Sequence, residues 1–316
     1  MALETLDWDQ TPAAACRGGV LTIGNFDGVH LGHAALVAEA RRVAGAQGGP
    51  AVALTFDPHP LKLLRPAQFQ PVLTTINDRA ELLAACGADH VIVLRTSPAL
   101  LQLTAAEFFQ NVIRGRLDAR ALVEGPNFGF GRNREGNVAT LRALCRESNL
   151  DFVQVPPVEL AGKPLSSSRV RNALLQGAVR EAAAMLNRPY RLRGMVGTGQ
   201  ARGRTLGFPT ANLEQFEVLV PGDGVYAVRV HRDQQCWPGA ANIGPNPTFG
   251  EQARKVEVHL IGFSGDLLGE SLAVDFIDRL RATRPFAGVE ELKQQLARDV
   301  DQARRLADSV GTLRTA

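Results

Sequence analysis

The sequence predicts an α/β domain with a parallel sheet, followed by an antiparallel β-barrel that ends in a C-terminal helix. Three observations predict it: a length of 316 residues, strand-like runs that alternate with helical patterns in the first half, and a change of period near Arg191. At about 150 residues per domain, this length favours two domains. The last helical pattern stops before Pro189, which predicts domains over 1–187 and 188–316.

Short apolar runs in the first half have the length and composition of buried strands. They lie at 20–24, 51–56, 90–94, 119–125 and 152–158. Helical patterns separate them, as at 79–87, 104–113 and 138–149. In the first helical pattern, Leu36, Ala40 and Val43 share one face. Such alternation predicts crossover connections and a parallel sheet that is covered on both faces.

From about Arg191, runs separated by Gly, Pro, Asn and Asp replace the helices. They lie at 191–199, 224–232, 236–244, 255–263 and 271–280. This spacing predicts an antiparallel barrel or sandwich. Beyond it, Leu292, Leu296 and Val300 are spaced by four residues, which predicts an amphipathic helix near the C-terminus.

The composition excludes several classes of protein. Apolar residues make up 45% and charged residues 21%, so the chain is neither disordered nor fibrous. No run approaches the ~18 apolar residues of a membrane span, and the acidic, polar N-terminus is unlike a secretory signal. The cysteines form no CxxC pair, which argues against a zinc knuckle or disulfide framework and favours a reducing cytoplasm. They are Cys16, Cys86, Cys145 and Cys236.

The mildly basic charge fits a small anionic ligand and does not require a nucleic acid. The net charge is +3, the pI is about 8.8, and aromatic residues make up 6%. A dedicated nucleic-acid binder usually has a clustered basic face and stacking aromatics, whereas these arginines are scattered. A nucleotide explains the balance equally well.

GNFDGVHLGH joins the first predicted strand to the first helix. At the carboxyl end of a parallel strand this turn faces the ligand crevice. Its glycines allow close backbone approach, and amides at a helix start favour phosphate. Two imidazoles three residues apart can stabilise a phosphoryl transition state. Alternatively, one histidine begins the helix and the other packs on the surface. The predicted nucleotide contacts are Gly24, Phe26, Asp27 and Gly28, and the predicted catalytic pair is His30 and His33.

Two further loops follow strands at the same edge. His59 in TFDPHP either lines the crevice or serves the loop structure. In EGPNFGFG, Asn127 offers a donor and an acceptor, while Phe128 and Phe130 offer flat apolar surfaces suited to an aromatic ring. The glycines of that segment are also ordinary loop residues.

SSSRVRNAL opens a helix with three serines and two arginines. Serine hydroxyls cap free amides, and with the helix dipole and a guanidinium they form a phosphate cradle. The alternative is an ordinary N-cap with solvated arginines. Three serines exceed what one cap requires, so we predict phosphate contacts at Ser166, Ser167, Ser168 and Arg171.

RGRTLGFPTAN begins the second half with a glycine-rich loop. The predicted phosphate contacts are Gly203, Arg204 and Gly207. Thr210 and Asn212 share one face if the segment is extended, and their oxygens suit Mg²⁺ that already carries nucleotide phosphates. A turn with satisfied polar residues is the alternative.

In KVEVHLIG, apolar residues alternate with Glu257 and His259. One strand face therefore lies in the core and Glu257 lies on the other. A carboxylate on a rigid strand near the metal loop can take the proton from an alcohol that attacks a phosphate. Without the rest of the pattern, Glu257 is a solvent-facing charge on a barrel.

GNFDGVHLGH with the later SSSRVR resembles the HxGH-type nucleotidyltransferases, which have a Rossmann-like fold. TFDPHP and NFGFG resemble one branch, the FMN adenylyltransferase module of bacterial bifunctional riboflavin kinase/FAD synthetases. GQARGRTLGFPTANL is similar to the riboflavin kinase signature. PGDGVYA, NIGPNPTFG, VEVHL and RPFAGVEEL follow in family order, so the resemblance covers the chain after about residue 15.

The resemblance implies an enzyme that makes FAD in two ATP-dependent steps. The barrel would phosphorylate riboflavin with Glu257 as base, and the first domain would then join FMN to AMP with loss of pyrophosphate. Its substrates would be ATP, riboflavin and FMN, its cation Mg²⁺, and its flavin contacts His59, Asn127, Phe128 and Phe130. We expect a cytoplasmic monomer or weak homo-oligomer that binds neither nucleic acid nor membrane.

Three positions depart from the family pattern. Ser168 stands where threonine is common, Leu268 where an aromatic residue is usual, and Pro126 where an acidic residue is more frequent. Two rival functions remain open: an adenylyl- or cytidylyltransferase whose barrel only sets specificity, and a non-catalytic flavin sensor or RNA-binding regulator.

Overall fold

The structure is a computed structural model, and it describes residues 2–198, 203, 206–245 and 253–309. The contacts within the chain divide it into two compact units. The first ends at Ser166 and the second begins at Ser167.

A six-stranded parallel sheet forms the centre of the first unit. Its strands are β1 (Ala2–Leu6), β2 (Val20–Ile23), β3 (Ala51–Asp57), β4 (His90–Arg95), β5 (Ala121–Glu124) and β8 (Asp151–Gln154). Their order across the sheet is β1-β4-β3-β2-β5-β8. Every residue of β2 and β5 is buried, as expected for central strands that are covered on both faces.

Two short hairpins complete the strands of this unit. The first pairs β6 (Gly129–Phe130) with β7 (Gly136–Asn137), and the second pairs β9 (Glu159–Leu160) with β10 (Lys163–Pro164). The β6–β7 hairpin follows β5, so it lies within the glycine-rich loop that the sequence singled out.

Helices connect the parallel strands of the sheet. They are α1 (Leu31–Gln47), α2 (Pro60–Leu64), α3 (Ile76–Ala85), α4 (Pro98–Gln102), α5 (Ala105–Glu107) and α6 (Val138–Glu147). Helix α5 runs directly into a π-helical segment over Phe108–Arg116, which buries Phe109 and Ile113 in the core. On α1 the buried face contains Val37, Ala40 and Val43, with Leu36 partly buried beside it.

The second unit contains helices α7 (Ser167–Leu175) and α8 (Val179–Leu186) and a closed six-stranded barrel. The barrel strands are β11 (Tyr190–Gly197), β12 (Ala211–Glu214), β13 (Gly224–Arg232), β14 (Gln235–Gly244), β15 (Lys255–Leu260) and β16 (Ser271–Arg281). They pair in the antiparallel order β11-β12-β15-β14-β13-β16. The predicted fold class is therefore confirmed for both halves.

The C-terminal helix α9 (Val289–Ser309) packs on the barrel. Ala303 and Ala307 contact Ala227, Ile261 and Ile277 in one apolar cluster. On the same helix the buried Asp299 forms an ion pair with the partly buried Arg281 of β16, at 2.8 Å. Because the Asp299 carboxylate would be costly to bury alone, the pair helps to set how the helix lies on the strand.

The sequence prediction did not include the four short hairpin strands or the strands β1 and β12. The segment Ala2–Leu6 was noted only as part of an acidic, polar N-terminus, and it is an edge strand that pairs in parallel with β4. An edge strand has one neighbour, so it needs fewer apolar residues. Strand β12 lies inside a glycine-rich motif and is only four residues long. Within the described part of the chain, no helix is long and apolar enough to cross a membrane.

Candidate active sites

The loop between β2 and α1 has an uncommon backbone path. Phe26 and Val29 have φ of 45° and 42°, which is rare for residues with a side chain, and Gly28 has φ of 83°. Phe26 and Val29 are both buried. Packing of these two side chains therefore holds the loop in its shape.

Asp27 anchors this loop to the start of α3. Its Oδ1 accepts hydrogen bonds from the N–H groups of Leu73 and Thr74 at 2.8 and 3.3 Å, and it lies 3.5 Å from Arg79 Nη2. The side chains of Asp27 and Arg79 are 2% and 4% exposed. This network fixes the shape of the loop, and the predicted nucleotide contact of Asp27 stays a prediction.

The glycine amides of the loop already have protein partners. Gly28 N–H donates to Thr74 Oγ1 at 3.2 Å, and Gly24 N–H donates to the Leu54 carbonyl at 3.0 Å. A Cβ at Gly24 would lie 3.3 Å from the Phe26 ring, so the glycine allows close packing there. The predicted nucleotide contacts of Gly24 and Gly28 stay predictions.

His30 and His33 lie side by side, as their spacing predicts. His30 caps α1, and its Nδ1 accepts a hydrogen bond from Gly32 N–H at 3.1 Å. The two imidazole centroids are 3.7 Å apart and the planes differ by 18°, so the rings are stacked. We call the loop from Gly24 to His30, together with His33, the histidine site.

The imidazole of His33 is kept neutral. Burial, followed by the charges of His30 and Arg79, lowers the pKa of His33 well below its usual value. Its Nδ1 is buried and has no hydrogen-bond partner among the described residues. A buried ring nitrogen without a partner is costly, and a ligand would relieve that cost.

His59 has a structural role in its own loop. Its Nδ1 caps α2 by accepting a hydrogen bond from Leu61 N–H at 3.1 Å. Its ring lies 5.9 Å from that of Phe69. The predicted flavin contact of His59 stays a prediction beside this role.

The loop after β5 carries two aromatic rings, and Phe128 is more exposed than Phe130. Phe128 is half-buried and stacks on Phe130, with ring centroids 5.3 Å apart. Phe130 is 6% exposed and packs against Phe108, so it belongs to the core. Asn127 and Pro126 are exposed at the tip. Of the two rings, Phe128 is therefore better placed to meet a planar ligand.

The serine-rich segment spans the end of the first unit and the beginning of the second. Ser166 is exposed and precedes α7, and Ser167 and Ser168 lie in its first turn. Arg171 lies one turn further and is 9% exposed. That these residues hold phosphate stays a prediction.

Three polar side chains stand in a row across the barrel. Asn212 of β12 pairs with Glu257 of β15, and Glu257 pairs with Asn242 of β14. All three are half-buried, whereas Val256 and Val258 on either side of Glu257 face the core. Directly opposed residues have Cβ atoms about 5 Å apart, so both amides lie beside the Glu257 carboxylate. We call Thr210 and this row the barrel site.

The loop before β12 is tied to the strand that carries Glu257. The Pro209 carbonyl accepts a hydrogen bond from His259 Nδ1 at 2.7 Å, and the Phe208 ring meets the His259 ring edge-on. Gly203 lies so close that a Cβ there would be 2.3 Å from the Phe208 carbonyl oxygen. Gly207 has φ of 88°, which favours glycine. That Gly203 and Gly207 bind phosphate stays a prediction.

The other two predicted residues of this loop are Thr210 and Arg204. Thr210 is exposed and stands two residues before Asn212, as predicted. Arg204 lies outside the described residues.

A cavity of about 450 Å³ opens beside Asn212. Its charged lining residues are Glu214, Arg254 and Lys255, and Arg254 forms an ion pair with Asp223 at 2.7 Å. The apolar lining includes Leu213, Phe216, Val220 and Val256. A cavity of this size, with a few polar groups among apolar walls, suits a small organic ligand.

Comparison with known proteins gives each half a counterpart. A family model described as FAD synthetase matches residues 13–169, and one described as riboflavin kinase matches residues 186–307. The bifunctional riboflavin kinase/FMN adenylyltransferase of Pseudomonas fluorescens is 39% identical over 292 residues, 92% of this chain and 94% of that protein. The Escherichia coli K12 protein of the same name is 36% identical over 296 residues, 93% of this chain and 94% of its own length.

The chain belongs to the bifunctional riboflavin kinase/FMN adenylyltransferase family. Both activities are therefore combined in one chain, and together they make FAD. The family resemblance predicted from the motifs is confirmed.

A crystal structure from Streptococcus pneumoniae has the same fold. It aligns with a TM-score of 0.86 and 32% identity, and covers 96% of this chain and 99% of that one. That structure is described as a macrolide-efflux protein, an activity with no counterpart in the family models or the bifunctional relatives. Because those comparisons agree with each other, we take only the fold from this likeness.

The sequence analysis gave no role to three residues that lie at the candidate sites in the structure. Arg79 is buried beside His33, Asn242 stands opposite Glu257, and His259 holds the loop at Pro209. The strand alternation in KVEVHL was a usable signal for His259. Arg79 and Asn242 join their sites only through tertiary contacts, which no local pattern shows. Leu268, at the departure from the family pattern, is 58% exposed.

Proposed function

We propose that the barrel phosphorylates the 5′-hydroxyl of riboflavin and that the first unit then adenylylates the resulting FMN with release of pyrophosphate. The match of residues 186–307 to a riboflavin kinase model and of 13–169 to an FAD synthetase model supports this division. The observation that carries the proposal is the cross-strand pairing of Glu257 with Asn212. It brings a carboxylate base next to a predicted ligand of the nucleotide's metal.

Glu257 acts as the base in the kinase step. A primary hydroxyl is a weak nucleophile, so a carboxylate within reach of its proton speeds attack on the γ-phosphate. The strand holds Glu257 rigidly between two amides, and the apolar residues on either side keep its backbone in the barrel wall. The cavity beside Asn212 takes the nucleoside part of ATP.

Thr210 and Asn212 fit a magnesium ion that arrives with ATP. Their hydroxyl and amide oxygens are hard ligands, and Mg²⁺ in nucleotide sites needs few protein ligands. No cluster of three or more His, Cys, Asp or Glu side chains suited to a metal occurs in the described part of the chain. When bound, the ion would neutralise charge on the phosphates during transfer. The glycines of the loop and Arg204 would hold the phosphate tail.

His30 and His33 stabilise the adenylyl transfer. The FMN phosphate attacks the α-phosphate of ATP, and imidazole N–H groups donate to the oxygens on which charge develops. The lowered pKa of His33 and its unpaired ring nitrogen support this role. Positioning and charge stabilisation suffice, and no covalent intermediate is needed.

The remaining predicted residues bind rather than react. Phe26 and the loop glycines shape the histidine site, and the serine-rich segment holds the departing phosphates. Its members are Ser166, Ser167, Ser168 and Arg171. Phe128 offers the flavin ring a stacking surface, with Asn127 and His59 near its edge and Phe130 supporting Phe128 from the core.

The free cysteines support a reducing compartment, which we propose to be the cytoplasm. All four are free, and Cys16 and Cys145 lie in the core of the first unit. Burial raises the pKa of the Cys145 thiol to about 11, so this group packs as an apolar side chain.

Chromatography of flavins tests the proposed function. One tube holds purified protein, riboflavin, magnesium and ATP, and a second holds FMN in place of riboflavin. FMN followed by FAD in the first tube, and FAD in the second, are expected. FMN alone would remove the adenylyl step from the first unit, and FAD only from supplied FMN would remove the kinase step from the barrel. No conversion in either tube would favour a flavin-binding protein.

A further inference from the structure

Glu124 is a buried carboxyl group at the end of an apolar strand. It is the last residue of β5 and is 1% exposed, while Ala121, Leu122 and Val123 before it are fully buried. Carboxyl groups are almost never buried unless they are partnered. The family motifs assigned no role to this position, so its partner needs an explanation.

The partner is the backbone of the neighbouring strand. Strands β2 and β5 pair only at Val20 with Ala121 and at Leu21 with Leu122. Beyond them, Ile23 N–H donates to Glu124 Oε1 at 2.6 Å. A side-chain oxygen thus takes the place of a backbone carbonyl where the two strands stop pairing.

On its other side β5 stays fully paired. Glu124 is in register with Gln154 of β8, and the Glu124 carbonyl accepts a hydrogen bond from Val155 N–H. The strand is therefore straight up to Glu124, and the gap opens on the β2 side alone.

This gap lies where the order of strands reverses. Strand β3 lies on one side of β2 and β5 lies on the other, and ligands of such sheets bind at this point outside the carboxyl ends of the strands. Ile23 leads directly into the histidine site. Glu124 leads directly into the loop that carries Asn127 and Phe128. One side chain thus joins the starts of both substrate loops.

The surroundings of this carboxyl group favour its uncharged form. Burial raises the pKa of Glu124 well above its usual value, and the Ile23 N–H opposes that shift only in part. An uncharged group adds no negative charge beside a site for two phosphorylated substrates. It still accepts a hydrogen bond as well as an amide oxygen would.

We propose that Glu124 is a positioning residue of the adenylyltransferase site: its hydrogen bond to Ile23 sets the distance between the nucleotide loop after β2 and the flavin loop after β5. The inference rests on the proposed function of the first unit. Since a shift of about 1 Å between reactants can lower a rate by about 10²-fold, the bond acts on catalysis although it touches neither substrate.

The test compares Glu124→Gln, Glu124→Met and Glu124→Asp in the full chain. Glutamine keeps an acceptor at the same reach, methionine keeps the volume without an acceptor, and aspartate keeps the carboxyl but is one methylene shorter. Thr22→Val is the matched control. Thr22 is a buried polar residue next to Ile23, and its hydroxyl has no hydrogen-bond partner among the described residues.

Steady-state kinetics of both activities are measured for each variant, with thermal unfolding to compare their stability. We expect Glu124→Met and Glu124→Asp to lose about 10- to 100-fold in kcat/KM for FAD formation from FMN. Riboflavin kinase activity should stay within about twofold, since it belongs to the other unit. Glu124→Gln and Thr22→Val should retain FAD formation within about threefold.

Several outcomes would overturn the inference. Wild-type kinetics in both Glu124→Met and Glu124→Asp would show that the bond sets no distance that catalysis needs. A Glu124→Gln variant as slow as Glu124→Met would show that the carboxyl proton itself is required. Equal loss of both activities would indicate global destabilisation. If the wild-type chain makes no FAD from FMN, the proposed function fails first, and that result is distinct from the other three.

Discussion

The two candidate sites use different side chains for two related reactions, phosphoryl transfer and adenylyl transfer. The histidine site lies at the carboxyl edge of a parallel sheet and presents two stacked imidazoles, of which His33 has a pKa well below its usual value. The barrel site lies on antiparallel strands and presents a carboxylate between two amides. The nucleophiles explain the difference. A phosphate monoester, with its second pKa near 6, is already an anion at pH 7, whereas an alcohol must lose a proton during attack.

Each site contains the side chains that its nucleophile requires. The barrel needs a base, and Glu257 supplies one on a rigid strand. The histidine site needs no base, and the carboxyl groups near it are occupied: Asp27 is bound to Thr74 and Arg79, and Glu124 is bound to Ile23. Four predictions test this contrast.

The largest effect is expected at the base. Glu257→Gln should lower the riboflavin kinase rate by about 10²- to 10⁴-fold, because the amide cannot accept the hydroxyl proton. FAD synthesis from supplied FMN should persist at the wild-type rate. Separate assays of the two half-reactions check both statements, and retained kinase turnover would remove Glu257 from the base role.

The next effect concerns the histidine pair. His33→Ala should lower FAD formation by about 10²- to 10³-fold, the usual cost of removing a donor to a developing charge. FMN formation from riboflavin should stay intact. Single-turnover assays with FMN and ATP measure the loss. If a folded variant lost both activities equally, the two sites would not be separate.

A smaller effect tests the metal ligands of the barrel site. Asn212→Ala should raise the magnesium concentration for half-maximal kinase activity about tenfold, because one oxygen ligand is lost. Asn242→Ala is the matched control, since it removes an amide from the other side of Glu257. Magnesium titrations at saturating riboflavin compare them. Equal shifts in both variants would argue that Asn212 is no ligand.

The smallest effect is a change of stability with pH. The pKa of His33 in the folded chain is well below its usual value of 6.5. Below pH 6.5 the unfolded chain therefore binds more protons, so stability falls as the pH falls. From pH 7.5 to 5.5 the loss should be about 1 kcal/mol.

Urea unfolding of wild type and His33→Gln at both pH values measures this loss. The loss of stability between the two pH values should be smaller in His33→Gln than in wild type. The comparison uses the unfolding transition whose midpoint the substitution changes. An equal loss in both proteins would mean that His33 is protonated as readily in the folded chain as in the unfolded one.

The local sequence pattern predicts most of the backbone structure that carries both sites. The glycine loop, the histidine spacing and the alternation around Glu257 depend on neighbouring residues, and the structure has all three. Contacts between residues far apart in the sequence could not be predicted from the local pattern. Glu124 looks like the last residue of a buried strand, and its partner Ile23 lies 101 residues earlier. Asn242 reaches Glu257 only through the register of β14 with β15.

The closure of the barrel has a consequence for the order in which the protein is made. The first barrel strand, β11, pairs with the last, β16, and α9 then packs on the closed wall. A growing chain leaves the ribosome from its N-terminus, so the parallel sheet can fold while most of the barrel is still untranslated. The half that acts first on riboflavin is thus the half that is completed last. A nascent chain halted before β16 would hold an adenylyltransferase unit with no kinase to supply its FMN.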